Sequence, residues 1–157
     1  MRIITENAEE TQKLGMALAK LVTPGDTILL NGDLGAGKTT FTQGFARALG
    51  INRPLKSPTF TLVREYQTTN FPLYHLDVYR LGEEGGAGEL GLEEYFGRDG
   101  VAIIEWPEFI KAAWPNDFLT ITIARTSNHS EAERVVTLDA TGQQSQAILE
   151  KLETIWN

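Results

Sequence analysis

The hydrophobic and polar positions of this chain follow two different periods, and the changes between them predict its helices and strands. Apolar residues recur at helical spacing over residues 8–22, and Asn7 followed by Glu10 can cap the start of that helix. The short apolar run 27–31 predicts a buried strand. A second amphipathic helix is expected from residue 38 to the glycine at position 50.

The middle of the chain alternates in polarity, which is typical of strands. Residues 59–66 and 71–81 are two such stretches, and the short "QTTN" between them predicts an antiparallel hairpin. The glycine-rich stretch 83–89 is expected to form a flexible surface excursion. Residues 90–96, "LGLEEYF", predict a short helix.

The last third of the chain continues the same mixture of elements. Residues 101–106, "VAIIEW", predict another buried strand, and residues 118–124 and 134–140 predict two more. Apolar residues at helical spacing between positions 148 and 156 predict a final helix. The whole pattern favours one α/β domain over residues 1–157, with a mixed β-sheet flanked by helices.

Composition narrows the function classes. The chain has 157 residues, no cysteine and two histidines, which excludes disulfides and cysteine nucleophiles and disfavours a zinc site. Its net charge of −7 repels a phosphate backbone and disfavours direct nucleic-acid binding. The N-terminal residues lack the apolar core of a signal peptide, and no stretch approaches a membrane span. We therefore expect no membrane association and a cytoplasmic location.

A phosphate-binding motif lies between the first predicted strand and the second predicted helix. The stretch "GDLGAGKTT" fits the pattern G-x-x-x-x-G-K-[ST], with Gly32, Gly37, Lys38 and Thr39 at its fixed positions. Glycines let backbone N–H groups curl around a triphosphate, and the helix start adds its positive dipole end. Lys38 is expected to reach the β- and γ-phosphates and Thr39 to bind Mg²⁺, while Thr40 can donate to the α-phosphate.

Two carboxylates at the ends of predicted strands are candidates for the metal and for catalysis. Glu105 follows four apolar strand residues, and such sites commonly place a second acidic group there. Asp77 can hold a metal-bound water or orient the attacking water. For each residue the alternative is an ordinary surface carboxylate, and for Asp77 the two interpretations are equally favoured. His75 shares a strand face with Asp77 and Tyr79, and we interpret it as structural.

Two further features have structural and functional interpretations. The threonine of "SPTF" (57–60) follows the phosphate-loop helix, as does the switch threonine that contacts Mg²⁺ or the γ-phosphate in some NTPases; the alternative is a Ser-Pro turn. Trp106 by itself would be assigned to the core or to an interface. No guanine-binding N-K-x-D motif occurs, which leaves ATP as the expected nucleotide.

Five stretches carry a family resemblance, and in chain order they are "GDLGAGKTTFTQGFARALG", "KSPTFTLVREY", "YHLDVYRL", "GLEEYF" and "IIEWPE". Taken together they resemble the TsaE family (also called YjeE) over nearly the whole chain. TsaE is the bacterial ATPase of tRNA threonylcarbamoyladenosine synthesis. The resemblance implies a P-loop NTPase-like fold with a switch-like segment 57–60, and ATP and Mg²⁺ as cofactors. The metal ligands that it implies are Thr39 and Glu105, and the catalytic residues are Lys38, Asp77 and Glu105. The implied nucleotide-binding residues are Gly32, Leu34, Gly35, Ala36, Gly37, Lys38, Thr39, Thr40, Thr59 and Trp106.

The resemblance also implies partners. TsaE proteins assist the TsaD–TsaB pair, in which TsaD transfers the threonylcarbamoyl group to adenosine 37 of tRNA, and ATP hydrolysis by TsaE would reset that complex between turnovers. The tRNA is then an indirect partner. Two departures from the family pattern stand out: the segment from Gly85 to Gly88 is glycine-rich where the family has an acidic helix, and Glu131 replaces the earlier arginine of an R-x-x-R pair that ends at Arg134. The nucleotide contact of that pair is therefore not transferred to this chain.

The residues leave two other functions open. A small-molecule kinase would need an acceptor pocket and a basic lid, and no arginine-rich lid is evident in the sequence. A non-catalytic nucleotide-binding scaffold is disfavoured by the intact candidate metal ligands. Release of phosphate without an added acceptor, dependent on a partner protein, would separate the three functions.

Overall fold

A computed structural model of the chain describes residues 1–33, 35–55, 58, 62–84, 91–127 and 130–156. Two of the expected nucleotide-binding residues, Leu34 and Thr59, lie outside these residues. So do most of the "SPTF" segment and residues 85–89 of the glycine-rich stretch 83–89.

Helices and strands alternate along most of the described chain, with two 3₁₀ helices at Leu92–Tyr95 and Pro107–Ala113. The other elements are β1 (Arg2–Thr5), α1 (Ala8–Ala19), β2 (Thr27–Asn31), α2 (Lys38–Ala48), β3 (Val63–Gln67), β4 (Pro72–Asp77), α3 (Tyr79–Glu84), β5 (Val101–Glu105), β6 (Phe118–Arg125), β7 (Arg134–Thr141) and α4 (Gln143–Ile155).

The strands form one mixed sheet in the order β1-β7-β6-β2-β5-β4-β3. Strand β2 is parallel to β5 and β6, and β4 is parallel to β5, whereas the outer pairs β1–β7, β6–β7 and β3–β4 are antiparallel. Glu105 at the end of β5 is in register with Leu30 of β2 and with Asp77 of β4. The carboxyl ends of these parallel strands therefore meet at one edge, where ligands bind in open α/β sheets.

Helices cover both faces of the sheet, because successive buried side chains along a strand point to opposite faces. Ile28 and Leu30 of β2 pack with Phe41 and Phe45 of α2 on one face, which α1 and α4 also cover. Leu29 belongs to the other face, with α3 and the 3₁₀ helices. Helices α1 and α2 cross closely at glycines, and a Cβ atom on Gly44 would overlap the backbone of Gln12. This packing fixes the start of α2, and hence the phosphate loop, against the sheet.

The predicted fold class, the "QTTN" hairpin, the strands at 27–31, 101–106, 118–124 and 134–140 and the C-terminal helix are confirmed, with shifts of one residue at some ends. Of the predicted strand 59–66, residues 59–61 lie outside the described residues and residues 63–66 belong to β3. Asn7 caps α1 as expected, since its Oδ1 accepts a hydrogen bond from Glu10 N at 2.9 Å. The expected helix over 8–22 ends earlier, at Ala19, and β1 was not predicted. Among the described residues, no helix combines the length and apolar character that crossing a membrane requires.

The predicted strand 71–81 is too long. It ends at Asp77, and helix α3 starts at Tyr79, whose N–H donates to Asp77 Oδ1 at 3.1 Å. An aspartate that bonds the backbone two residues ahead turns the chain out of the strand. His75 and Asp77 stay on one strand face as expected, but Tyr79 does not join them.

Candidate functional site

The phosphate-binding loop connects β2 to α2 at the edge where the parallel strands end. Gly35 and Gly37 have φ values of 79° and 113°, which other residues rarely adopt. Gly37 is also the N-cap of α2, and no side chain caps this helix start. The first N–H groups of α2 are therefore left for another acceptor, which is the usual setting for phosphate binding.

A cleft of about 400 Å³ opens in front of this helix start. Most of the predicted site residues line it, while Ala36 is buried in the loop and Gly32 lines an adjoining cavity of about 240 Å³. The residues that line the main cleft are Gly35, Gly37, Lys38, Thr39, Thr40, Thr42, Leu55, Pro58, His75, Asp77, Glu105, Trp106 and Arg134. The structure thus brings together the phosphate loop, both candidate carboxylates and Trp106.

Lys38, Glu105 and His75 form a buried charged cluster at the base of the cleft. Lys38 Nζ lies 3.7 Å from Glu105 Oε1, and His75 Nε2 lies 2.7 Å from Glu105 Oε2. The three residues are only 5 to 8% exposed, so Glu105 is no surface carboxylate. Burial alone would raise the pKa of Glu105, but the hydrogen bond from His75 and the charge of Lys38 outweigh it and hold that pKa below its ordinary value. Glu105 is therefore ionised at neutral pH.

Asp77 is half-buried and lies beside Glu105 on the neighbouring strand. Its Oδ1 accepts the hydrogen bond that starts α3, so the carboxylate has a structural contact in addition to its place in the cleft. Asp77 thus has a local structural contact and a place in the cleft, and its role in catalysis stays a prediction.

The oxygen donors of this cleft fit a magnesium ion. They are the Thr39 hydroxyl and the carboxylates of Asp77 and Glu105, and Mg²⁺ prefers oxygen ligands. Within the described residues, no three or more His, Asp or Glu side chains are arranged for a metal ion by themselves. One or two carboxylates with nucleotide phosphates and water are the usual magnesium environment in nucleotide sites.

Trp106 connects the cleft to the protein surface. Its backbone is in the left-handed region, with φ 59° and ψ 46°, which costs a bulky residue about 1–3 kcal/mol. The indole ring lies 4.1 Å from Lys38 Nζ, in the range of a cation–π contact. The indole also packs against the exposed rings of Tyr79 and Phe109, with centroids 4.9 and 6.4 Å away. This strained conformation thus places the ring under the phosphate-loop lysine.

Two arginines hold the phosphate loop from the sheet side. Arg134 Nε donates to Ala36 O at 2.7 Å, and Arg125 Nη2 donates to Gly35 O at 3.1 Å. The two residues are directly opposite each other on β7 and β6. Arg134 was considered in the sequence analysis without an assigned contact, and Arg125 was missed. Its position at the end of a predicted strand is the signal that could have identified Arg125, because β6 is parallel to β2 and its last residue reaches the same edge of the sheet.

This fold and cleft define a P-loop nucleotide-binding protein. A profile of the family described as "Threonylcarbamoyl adenosine biosynthesis protein TsaE" matches residues 5–136, and the chain belongs to the TsaE family.

Individual relatives cover most of the chain. A tRNA threonylcarbamoyladenosine biosynthesis protein TsaE from Bacillus subtilis is 45% identical over 148 residues, which are 94% of this chain and 90% of that protein. The Rickettsia conorii protein of the same name is 36% identical over 146 residues, 92% of this chain and 83% of its own. The crystal structure of B. subtilis YdiB superposes with a TM-score of 0.86 at 41% identity and covers 100% of this chain and 96% of its own.

Proposed function

We propose that this chain is the ATP-binding and ATP-hydrolysing subunit required for threonylcarbamoyladenosine modification of tRNA adenosine 37. It acts in the cytoplasm on the TsaD–TsaB complex, which it resets between turnovers. The observation that carries the proposal is the buried Lys38–Glu105 pair in front of the uncapped first turn of α2. A cation, an ionised carboxylate and free backbone N–H groups together suit a triphosphate and its metal ion.

Each part of the proposed site has a role in binding. The backbone N–H groups from Gly37 to Thr40 would surround the phosphates, and Lys38 would offer its charge to the β- and γ-phosphates, whereas the Ala36 N–H donates to Asp33 O within the loop. Thr39 and Glu105 would hold Mg²⁺, which neutralises charge on the phosphate oxygens when it is bound. Asp77, beside Glu105, orients the attacking water.

Slow hydrolysis by the isolated chain follows from this arrangement. Asp77 also starts α3, and Glu105 also contacts Lys38 and His75. The guanidinium of Arg134 donates to the backbone carbonyls of Ala36 and Glu133, so it is already engaged by the protein backbone. Among the described residues we find no group dedicated to activating water. A contact from a partner can raise such rates by roughly 10³ to 10⁵.

The charge of the chain indicates what the partner provides. A net charge of −7 suits a basic docking face on the partner and does not suit tRNA. We therefore propose that the TsaD–TsaB complex holds the tRNA and that this chain meets the tRNA only through it.

The test is phosphate release from Mg-ATP, measured as purified TsaD–TsaB is titrated into this protein. We expect a slow basal rate that rises with the complex, and no rise with the variant Lys38→Ala. Binding of tRNA to this chain alone, measured in parallel, should be weak. A rate indifferent to TsaD–TsaB together with tight tRNA binding would overturn the proposal. Transfer of phosphate to a small acceptor would favour a kinase, and nucleotide binding without phosphate release would favour a scaffold.

A further inference from the structure

His75 has a contact pattern that core packing alone does not explain. The ring is 5% exposed and lies on β4, the strand between β5 and the edge strand β3. Its Nε2 is 2.7 Å from Glu105 Oε2, whereas its Nδ1 is buried and has no hydrogen-bond partner among the described residues. Leaving a buried polar atom unpaired costs free energy, so a purely structural role would favour an apolar side chain here.

The hydrogen bond between His75 and Glu105 has a defined direction. An ionised carboxylate only accepts hydrogen bonds, so Nε2 must carry the proton and donate it. This contact occupies Oε2, while Oε1 lies on the side of Lys38. The imidazole therefore fixes which carboxylate oxygen points toward the cleft.

Carboxylates that bind metal ions are usually held in place by such outer contacts. A partner behind the ligand sets its orientation, and losing that partner typically weakens metal binding or activity by about 10- to 100-fold. Of the two described side chains that contact Glu105 as ion-pair or hydrogen-bond partners, His75 is the rigid one, because Lys38 is a flexible side chain that must also serve the phosphates.

We propose that His75 is the positioning residue that orients Glu105 toward the Mg²⁺ ion of the bound nucleotide complex. It contacts neither the nucleotide nor the reacting atoms. The inference rests on the proposed function, since it requires Glu105 to be a metal ligand.

The test compares His75→Leu, which removes the donor, with His75→Gln, whose amide can donate from nearly the same position as Nε2. Binding of a fluorescent ATP analogue is measured first in EDTA and then with increasing free Mg²⁺. For His75→Leu we expect the Mg²⁺ concentration at half-maximal effect to rise about 10- to 100-fold, with affinity in EDTA changed less than about twofold. His75→Gln should recover most of the wild-type Mg²⁺ dependence.

Leu73→Ala is the matched control, because Leu73 is a buried residue on the same face of the same strand and lies opposite Val101, at the far end of β5 from Glu105. It should lower thermal stability without shifting the Mg²⁺ dependence. If His75→Leu does not fold, His75→Asn, whose shorter amide cannot reach Oε2, replaces it in the comparison with His75→Gln.

The outcomes separate this inference from the proposed function. An unchanged Mg²⁺ dependence in His75→Leu, equal losses with and without Mg²⁺, or no recovery in His75→Gln would overturn the positioning role. Failure of the wild-type protein to bind the analogue at all, or binding that ignores Mg²⁺, would instead overturn the proposed function.

Discussion

Replacing Lys38 by methionine should destabilise the nucleotide-free protein as well as abolish ATP hydrolysis. Methionine has a similar length and no charge, so the variant isolates the charge beside Glu105. Two unit charges 3.7 Å apart attract by about 4.5 kcal/mol at an effective dielectric constant of about 20. Much of that gain is offset by the cost of burying both charges.

The expected loss follows from what remains around Glu105. Removing one partner of a buried pair costs about 3–5 kcal/mol when the other charge is left unpaired. His75 still donates to Glu105 in this variant, so we expect a smaller loss of about 2–3 kcal/mol. For a chain of this length that corresponds to a fall in Tm of about 4–12 °C.

A double-mutant cycle measures the pair directly. The free energy of unfolding is determined by urea titration without nucleotide for Lys38→Met, Glu105→Gln and the double variant. A neutral glutamine at position 105 leaves no unpaired charge when Lys38 is replaced. The double variant should therefore lose about 1–3 kcal/mol less free energy of unfolding than the sum of the single losses. The exposed Lys13–Glu9 pair, at 3.5 Å, is the control, and its coupling should stay below about 0.5 kcal/mol.

The same variants test the link to the nucleotide. Saturation at about 100 times the Kd should stabilise the wild-type protein by about 2.7 kcal/mol, and Lys38→Met should gain almost none of it. Additive single losses within about 0.5 kcal/mol would refute the buried pair. Unchanged phosphate release by Lys38→Met would refute its place at the phosphates.

Three further predictions test other parts of the site and the fold. Glu105→Gln and Asp77→Asn should keep the circular dichroism spectrum of the fold and abolish phosphate release; wild-type turnover in either variant would make that residue structural. Arg125→Gln should weaken ATP binding about tenfold by freeing the phosphate loop, whereas Arg53→Gln, outside the cleft, should not, and equal affinities would contradict the assignment. Asp117→Ala should cost about 1 kcal/mol at pH 7, because Asp117 accepts hydrogen bonds from the first turn of α4. Burial alone would raise the pKa of Asp117, but the hydrogen bonds from the Ser145 hydroxyl and from the N–H groups of Gln144 and Ser145 outweigh it and lower that pKa. Its contribution is therefore fully present above the ordinary aspartate pKa and is lost as the pH falls through the lowered one, and a pH-independent difference in urea titrations would contradict this.

Most of the fold could be predicted from local patterns. The strand–loop–helix unit around Lys38 is contiguous, so its apolar run, glycines and helical spacing all stand in one short stretch. Strand β1 was missed, and the other failures are at the ends of elements. The predicted strand runs to residue 81 because alternation continues past Asp77, whereas β4 ends at Asp77, whose Oδ1 accepts the hydrogen bond from Tyr79 N that starts α3.

The sequence by itself determined the phosphate loop and placed two carboxylates at strand ends, because each of these features depends on neighbours along the chain. The tertiary structure alone decided that Glu105 of β5 is buried between Lys38 of α2 and His75 of β4. It also decided that Arg125, 90 positions from Gly35, supports the phosphate loop. Hydrogen bonds and ion pairs of this kind depend on distances of a few ångströms across the sheet. Those distances are set by strand order and register, which no local pattern in the sequence specifies.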